Sequence, residues 1–435
     1  MERYLKQTLM NWKDDSSRKP ILLRGARQVG KSYLIEEFGH SFDSYVEFNF
    51  DFNKRLTTIF EYDSDPERIL KELSIAAEKP IVRGQTLLFF DEIQECPDAI
   101  RALRYFYEKM PDLHVIAAGS LLDFTLEKIG VPVGRIQMLY LFPLSFVEFL
   151  LAKEKRLLLE ALFEHDEKKP APEFMHKQLF KLYGEYMAIG GMPEVVNEWL
   201  LNADLKRTRK IQQSLIETYK ADFGKYSTKY QKSHVETIYS AIPRLSGGKF
   251  LYSSVNPDLR SRELKPALDL LSKAGIIHVI THSSSGSLPL AAEINPKFFK
   301  AILSDIGLMQ AMLEYNPKNW ILEPEKAAVN FGALVESFVG QEILAYSSPD
   351  LKSSLFYWAR EKRGSSAEVD YVIELNGAVV PIEVKAGRSS SYKSMSLFLK
   401  EKPSSPYGIH FSQQNFSSNQ IVRKIPLYAV FKPFL

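Results

Sequence analysis

An eight-residue segment, Gly25-Ala-Arg-Gln-Val-Gly-Lys-Ser32, has glycines at its first and sixth positions, followed by lysine and serine. The apolar run Ile21-Leu-Leu precedes it, and Ser32–Phe38 can begin a helix. In a strand–loop–helix of this pattern the glycines let backbone amides wrap a phosphate, while the lysine reaches the outer phosphates and the serine binds Mg²⁺. The segment therefore predicts a P-loop for ATP and Mg²⁺, whose binding residues are Gly25, Ala26, Arg27, Gln28, Val29, Gly30, Lys31 and Ser32.

Two acids follow a second apolar run, Leu87-Leu-Phe-Phe, as the pair Asp91-Glu92. In P-loop ATPases an acid at a strand tip holds the magnesium ion through the loop serine and water, which suits Asp91. A neighbouring glutamate can orient or deprotonate the attacking water, which suits Glu92. Paired acids also occur at helix starts, but their position after a P-loop favours ATP hydrolysis with Lys31 and Glu92 as catalytic residues and Ser32 and Asp91 as metal ligands.

Two further residues are candidates for the same reaction. His114-Val-Ile-Ala-Ala-Gly ends at Ser120, whose hydroxyl is expected between the P-loop and acid strands, where it senses the outer phosphate. The alternative is a simple turn after the strand. Arg135, after Gly134, is the best candidate for an arginine that stabilises transferred charge, within its own subunit or from a neighbouring one. A plain surface arginine is the competing interpretation.

The first ~150 residues alternate apolar runs with helix-like stretches, which is typical of a buried parallel sheet with helices on both faces. The predicted strands begin at Ile21, Tyr45, Thr86, His114 and Gln137. Residues 1–150 are therefore predicted to be an α/β ATPase domain. Residues 151–216 read mostly as helix, and we interpret them as a helical lid.

Residues 217–315 follow the order helix, turn, helix, hairpin. Leu264–Ala274 is predicted as an amphipathic helix that Gly275 ends, Ile276 begins a strand, and the segment 288–294 is predicted to return beside it. This is the outline of a winged helix. Arg260, Arg262 and Lys265 flank the predicted recognition helix in a way that suits phosphate contacts, although winged helices also connect proteins.

Composition limits the remaining choices. A chain of 435 residues predicts two to four domains, and the single cysteine, Cys96, excludes an intrachain disulfide. The N-terminus lacks the pattern of a secretory signal, and no window is apolar enough for a membrane helix, which favours a cytoplasmic protein. Residues 201–275 hold 14 Lys and Arg against 7 Asp and Glu, and residues 351–435 hold 12 against 6. This excess permits a DNA or RNA partner, but solvated lysine faces have the same composition.

The motifs together resemble a family. Arg24-Gly-Ala-Arg-Gln-Val-Gly-Lys-Ser, Phe90-Asp-Glu-Ile-Gln, Ala118-Gly-Ser, Gly134-Arg and Phe142-Pro-Leu-Ser-Phe look like the bacterial and archaeal AAA-type ATPases that carry a C-terminal domain of unknown function. Tyr186-Met-Ala-Ile-Gly-Gly-Met-Pro-Glu and Leu303-Ser-Asp-Ile-Gly-Leu extend the likeness along the chain. The resemblance implies an AAA+-like core, a helical lid, a winged helix and a nuclease-like C-terminal fold.

A second constellation lies in residues 316–435. Asp370 enters one predicted strand of a hairpin, and Glu383-x-Lys385 lies on the next, where period two puts both side chains on one face. Two carboxylates and a lysine so placed can bind magnesium and activate water against a phosphodiester. The pattern resembles the PD-(D/E)XK nuclease core, and Glu336, on a predicted helix, matches the extra acid that some members supply. The alternative is a retained scaffold whose acids form salt bridges or bind a partner.

Three functions follow from these patterns. The leading hypothesis is an ATPase whose nucleotide cycle rearranges a nucleic-acid-facing winged helix and nuclease-like domain. The second is a slow regulatory switch, assembling as a homo-oligomer or with a protein partner, whose C-terminal domain only binds. The third, a small-molecule kinase, is disfavoured by the Asp91-Glu92 pair and by the large appended domains.

Overall fold

The computed structural model describes residues 1–120, 122–130, 134–226, 229–360, 367–388, 391–419 and 421–435. This described chain divides into two compact units. The first consists of Glu2–Phe142 and Ser348–Lys352, and the second of Pro143–Ser347 and Ser353–Leu435. The four segments predicted from the sequence are thus grouped more coarsely, because most of the first segment stands alone and the other three share a unit.

The first unit is a parallel sheet between two layers of helices. Its strands are β1 (Ile21–Arg24), β2 (Ser44–Asn49), β3 (Thr86–Asp91), β4 (His114–Gly119) and β5 (Gln137–Tyr140). Its helices are α1 (Leu5–Asp14), α2 (Lys31–Gly39), α3 (Thr58–Glu61), α4 (Pro66–Ala76), α5 (Pro97–Lys109) and α6 (Leu122–Ile129). Among the described residues the five strands are ordered β2-β3-β4-β1-β5, and every pair is parallel. The predicted α/β sheet is confirmed.

Strand β3 shows why the sheet is covered on both faces. All six of its residues are buried, and successive side chains point to opposite faces. Leu88 and Phe90 pack in the core formed with α4 and α5, whereas Leu87 and Phe89 pack in the core formed with α1 and α2. A strand buried on both faces consists of consecutive apolar residues, and this pattern made β3 recognisable in the sequence.

The second unit begins with helices. These are α7 (Phe146–Ala152), α8 (Arg156–Phe163), α9 (Glu173–Ile189), α10 (Pro193–Asn202), α11 (Leu205–Tyr226), α12 (Lys229–Leu245), α13 (Tyr252–Val255) and α14 (Ser261–Lys273). Strands β6 (Ile277–Ser283) and β7 (Ile294–Leu303) follow as an antiparallel hairpin. Helices α15 (Ile306–Met312), α16 (Lys318–Leu322), α17 (Pro324–Asn330) and α18 (Gly332–Tyr346) come next.

The returning strand of this hairpin lies later than predicted. The sequence predicts it over 288–294, but Leu290–Glu293 forms a short 3-10 turn and the strand begins only at Ile294. Pro289, which cannot donate a hydrogen bond to a neighbouring strand, precedes that turn. The apolar residues of 288–294 therefore belong to the connection, and the long strand runs on to Leu303.

The rest of the second unit extends the same sheet. Strands β8 (Leu355–Ala359), β9 (Glu368–Leu375), β10 (Ala378–Val384), β11 (Gly408–Ser412), β12 (Ser417–Ser418) and β13 (Val422–Pro426) are joined by helix α19 (Lys393–Glu401). The described strands form one mixed sheet of eight, in the order β12-β13-β11-β10-β9-β8-β6-β7. The hairpin predicted as a wing is thus continuous with the strands after residue 315, through the parallel pairing of β6 with β8. Among the described residues, no helix is long and apolar enough to cross a membrane.

Candidate functional site

The predicted P-loop connects the end of β1 to the start of α2. Gly30 precedes the helix with φ +91°, in the left-handed region that favours glycine. A Cβ added to Gly25 would lie 2.3 Å from the carbonyl oxygen of Leu141, so no larger residue fits. The loop can therefore follow a path that presents backbone amides at a helix N-terminus, where the partial positive charge favours a phosphate.

Lys31, the first residue of α2, folds back over the loop. Its Nζ donates to the carbonyl oxygens of Gly25 at 3.0 Å and Ala26 at 2.9 Å. Burial lowers the pKa of Lys31 to about 8, although the nearby Glu92 and Asp91 act in the opposite direction. The ammonium group is thus held inside the loop by two neutral carbonyls, which phosphate oxygens can replace.

The remaining loop residues have different surroundings. Ala26 and Val29 are buried and pack in the core with α1 and α2, so their side chains shape the loop from beneath. Gln28 is exposed and takes a positive φ of 63°. Arg27 lies near enough to Lys31 to lower its pKa further.

A hydroxyl and a carboxylate meet beside the loop. Ser32 Oγ donates to Oδ2 of Asp91, the last residue of β3, at 2.8 Å. Asn49, the last residue of β2, donates to the same oxygen at 3.2 Å. One carboxylate and one hydroxyl next to a phosphate loop fit Mg²⁺, which takes few protein ligands and completes its shell with phosphate oxygens and water. Asn49 was missed by the sequence reasoning, although a polar residue ending the strand beside β3 is a usable signal.

Glu92 follows Asp91 with a positive φ of 49°, which turns its side chain out of the strand direction. Gln94 Nε2 donates to Glu92 Oε2. A Cβ on Gly119, at the end of β4, would lie 2.1 Å from the Gln94 side-chain oxygen. The Gln94 amide is therefore wedged between Glu92 and β4, and it is a second residue that the sequence reasoning missed.

The sheet order brings the next predicted residue to the same edge. Strand β4 lies between β3, which carries Asp91, and β1, which leads into the P-loop. Ser120 directly follows β4 and is buried. Because the strands are parallel, all three carboxyl ends meet at one edge of the sheet.

Arg135 lies near the amino-terminal ends of the strands, opposite the end that carries the P-loop and Asp91. It precedes Gln137, the first residue of β5, which pairs with Ile21, the first residue of β1. The P-loop follows the opposite end of β1. Arg135 Nε donates to Glu108 Oε1 at 2.9 Å, and Arg104 donates to the same oxygen at 3.0 Å. Arg135 and the P-loop of the same chain are therefore not brought together.

Comparison with known proteins agrees with this geometry. Residues 17–150 match the family model described as an AAA domain. Residues 17–150 are therefore similar to AAA domains, and we call this region the AAA domain. Residues 180–319 and 331–430 match two models described as domains of unknown function, DUF8612 and DUF4143. A search of curated proteins finds no match.

Several solved structures share part of the backbone arrangement. A Walker-type ATPase of Pyrococcus abyssi is 17% identical, with a TM-score of 0.45, over 71% of this chain and 94% of that one. The ORC1 protein of Aeropyrum pernix, solved with DNA, is 12% identical with a TM-score of 0.30, over 72% and 93%. Drosophila ORC bound to DNA is 13% identical with a TM-score of 0.26, over 71% and 94%. Similarity at this level does not specify an activity or a partner.

C-terminal to the AAA domain, the second predicted constellation lies on α18, β9 and β10. Asp370 Oδ2 accepts a hydrogen bond from the amide of Val384 at 2.7 Å. Lys385 Nζ lies 2.5 Å from Oε1 of Glu383, which is itself buried. Burial and the nearby Asp370 raise the pKa of Glu383 to about 7. The same two causes, acting against Lys300, raise the pKa of Glu336 to about 8.

Lys300 was not singled out by the sequence reasoning, yet it is the central cation of this cluster. It lies on β7, its side chain is 1% exposed, and its Nζ is 2.9 Å from Glu336 Oε1 and 2.5 Å from Glu368 Oε1. Burial lowers the pKa of Lys300, but Glu336, Asp370 and Glu368 more than offset that effect and the net shift is upward. The only signal in the sequence is a lysine inside the apolar run Phe298-Phe-Lys-Ala-Ile-Leu.

These residues do not fit a divalent metal ion as they stand. Within the described ranges, no group of three or more His, Cys, Asp and Glu is arranged to hold a metal ion. The carboxylate that the helix supplies, Glu336, is instead bound to the Lys300 ammonium. The arrangement is that of a buried ion-pair network.

The predicted recognition helix of the winged-helix segment has a polar outer face. Arg260, Arg262 and Lys265 are exposed at the start of α14, whereas Leu264 and Leu268 are buried. The three cations lie where phosphate contacts are available to them, and α14 packs against α12 through its apolar side.

Proposed function

We propose that the AAA domain binds ATP with Mg²⁺ and hydrolyses it. In this proposal the backbone amides of residues 25–30 and Lys31 hold the phosphates, and Ser32 and Asp91 hold the metal ion, which neutralises phosphate charge when bound. The 2.8 Å contact between Ser32 Oγ and Asp91 Oδ2 is the observation that carries the proposal. It supports a site in which loop and acid strand act on the same phosphate group.

Glu92 is the residue that orients or deprotonates the attacking water in this scheme, and Ser120 contacts the outer phosphate. Arg135 acts on the nucleotide of a neighbouring subunit, so hydrolysis requires a homo-oligomer. The register of β5 with β1 supports this assignment, because it puts Arg135 at the edge of the sheet away from its own P-loop.

The output of the cycle is binding by the second unit. The exposed Arg260, Arg262 and Lys265 support a nucleic-acid-facing role for α14, in the manner of a winged helix. For the PD-(D/E)XK-like cluster, the Lys300 contacts favour a domain that binds over one that cleaves. A binding domain without cleavage is the C-terminal part of the regulatory-switch hypothesis. The bound partner in this proposal is DNA, RNA or a protein.

Steady-state hydrolysis of ATP by the purified chain tests the ATPase proposal. We expect Lys31→Ala to abolish Mg²⁺-dependent hydrolysis, and Glu92→Gln to bind ATP while its turnover falls about 100-fold. Glu95→Gln is the matched control, because Glu95 is an exposed glutamate three residues away. Hydrolysis by Lys31→Ala at the wild-type rate would show that the assignment is wrong.

Salt dependence separates the two classes of partner. Strong weakening of DNA or RNA binding with salt supports the nucleic-acid-facing proposal, because phosphate contacts release counterions. Absence of binding, together with a protein that co-purifies with the chain, supports the regulatory switch.

A further inference from the structure

Four carboxylates of the second unit pair with Lys300 or act electrostatically on one another. Glu336 comes from α18, Glu368 and Asp370 from β9, and Glu383 from β10. Like charges in a buried site repel one another unless cations lie among them. In a cluster of carboxylates, a bound divalent metal ion can supply the compensating positive charge.

Here an ammonium group supplies it. Lys300 reaches the cluster from β7, and its Nζ bridges Glu336 and Glu368. The ammonium also lies over the ring of Tyr357, 5.2 Å from the ring centroid. Only 1% of the Lys300 side chain is exposed, so its ammonium group is buried among these contacts.

A buried carboxylate oxygen of Glu383 is left without a hydrogen bond among the described residues. Glu383 is buried, its Oε1 accepts from Lys385, and its Oε2 has no hydrogen-bond partner in the described part of the chain. Asp370 likewise uses Oδ2 for the amide of Val384. Oxygen ligands for a cation are therefore present, but the charge that would draw a divalent ion to them is already partly neutralised by Lys300.

We propose that Lys300 is a built-in cation that replaces a divalent metal ion in this cluster. The wild-type domain then excludes Mg²⁺ and Mn²⁺ from Glu336, Asp370 and Glu383. Replacing Lys300 by a neutral residue removes that charge, and the carboxylates of Glu336, Asp370 and Glu383, which are not arranged to hold a metal ion in the wild-type chain, then rearrange around a divalent cation. The proposal goes beyond the ATPase function and does not depend on it.

Titration of the full chain with Mn²⁺ tests the proposal, with free Mn²⁺ followed by electron paramagnetic resonance. Nucleotide is absent, and every protein carries Asp91→Asn so that the P-loop does not contribute a metal site. In the protein that keeps Lys300, we expect Asp370→Asn to leave Mn²⁺ binding unchanged, because no Mn²⁺ is bound at the cluster. Lys300→Gln is expected to gain one Mn²⁺ site whose affinity is at least about 10-fold above any Mn²⁺ binding of the protein that keeps Lys300. Addition of Asp370→Asn is expected to remove that site.

Lys300→Arg is the matched control, because it keeps the positive charge and is expected to gain no site. Two results would overturn the proposal. One is Mn²⁺ binding in the Lys300 protein that disappears with Asp370→Asn, a result that does not depend on whether any position-300 variant folds. The other is a Lys300→Gln protein that has the wild-type circular dichroism spectrum and binds no additional Mn²⁺.

Discussion

Ser32 and Asp91 are 59 positions apart in the chain, yet the Ser32 hydroxyl lies 2.8 Å from the Asp91 carboxylate. The sheet order explains the contact, since only β4 separates the strand that carries Asp91 from the strand that leads into the P-loop. Every parallel strand delivers its carboxyl end to the same edge. The AAA domain thus assembles the oxygen atoms of its candidate magnesium site from two distant motifs.

Gly119→Ala tests whether Gln94 positions Glu92. The new Cβ would lie 2.1 Å from the Gln94 side-chain oxygen, so the amide that donates to Glu92 has to move. We expect kcat for ATP hydrolysis to fall about 10-fold, with KM changed far less, because the attacking water is oriented less well. Gly248→Ala, where a Cβ meets no atom within 4 Å, is the control. An unchanged kcat for Gly119→Ala would remove Gln94 from the account.

A mixing experiment tests whether Arg135 acts on a neighbouring subunit. Lys31→Ala lacks the lysine of its own P-loop and is expected to show no Mg²⁺-dependent hydrolysis alone. Arg135→Ala lacks the arginine and is expected to hydrolyse ATP slowly alone. In a mixture, an intact P-loop can meet an intact Arg135 from the other protein, and activity should recover. Arg104→Ala serves as the control, because Arg104 shares the Glu108 contact. No recovery in mixed oligomers would argue against action between subunits.

Removing the exposed cations of α14 tests nucleic-acid contact. Arg262→Ala and Lys265→Ala are each expected to weaken DNA or RNA binding for all base sequences alike. Each should also reduce the slope of log affinity against log salt by about 1, the value for one lost phosphate contact. Lys318→Ala, an exposed lysine elsewhere in the same unit, should leave the slope unchanged. Equal slopes in all four proteins would exclude α14 as the binding surface.

The stability of the second unit should depend on the protonation of Glu342. This carboxyl is buried and accepts hydrogen bonds from the amide of Phe146 and the hydroxyl of Tyr346. Burial raises the pKa of Glu342 from 4.5 to about 8. The unfolded chain therefore releases its proton at lower pH than the folded protein. The free energy of unfolding falls as pH rises from 4.5 to 8, by at most about 1.4 kcal/mol per pH unit for this group.

Urea unfolding at pH 5.5 and at pH 7.5 measures that contribution. We expect Glu342→Gln to lose less stability between the two pH values than wild type does. Glu160→Gln, at an exposed position on α8, should retain the wild-type difference. A Glu342→Gln protein with the wild-type pH dependence would show that the carboxyl does not hold its proton in the folded state.

The AAA domain was predictable because its information is local. Most of its strands are apolar runs, the P-loop is contiguous, and Asp91-Glu92 comes at the end of a strand that can be recognised by itself. The hairpin predicted around Asp370 and Glu383 is also present, as the antiparallel pair β9 and β10. The predictions fail where a segment has the right composition but another conformation, as in 288–294, where Pro289 and a 3-10 turn precede β7.

Lys300 shows what sequence could not supply. The acids at Glu336, Asp370 and Glu383 were found from a motif with known spacing. The cation that binds Glu336 comes from a strand assigned to a different predicted segment. Its contact with Glu368 depends on β7 and β9 joining one sheet through β6 and β8, which is a long-range pairing that no local pattern encodes. Asn49 was missed for a similar reason, because its partner Asp91 lies on the neighbouring strand.

The most direct measurement of the central claim is Mg²⁺-dependent ATP hydrolysis by Asp91→Asn. Asparagine keeps an oxygen that can accept the Ser32 hydrogen bond, so the variant removes the negative charge and preserves the shape of the site. We predict that hydrolysis falls about 10- to 100-fold, as it does when a group that supports a metal ion is lost. Asp98→Asn, whose carboxylate pairs with Arg101 on α5, should hydrolyse ATP like wild type. Wild-type hydrolysis by Asp91→Asn at the same Mg²⁺ concentration would contradict the account.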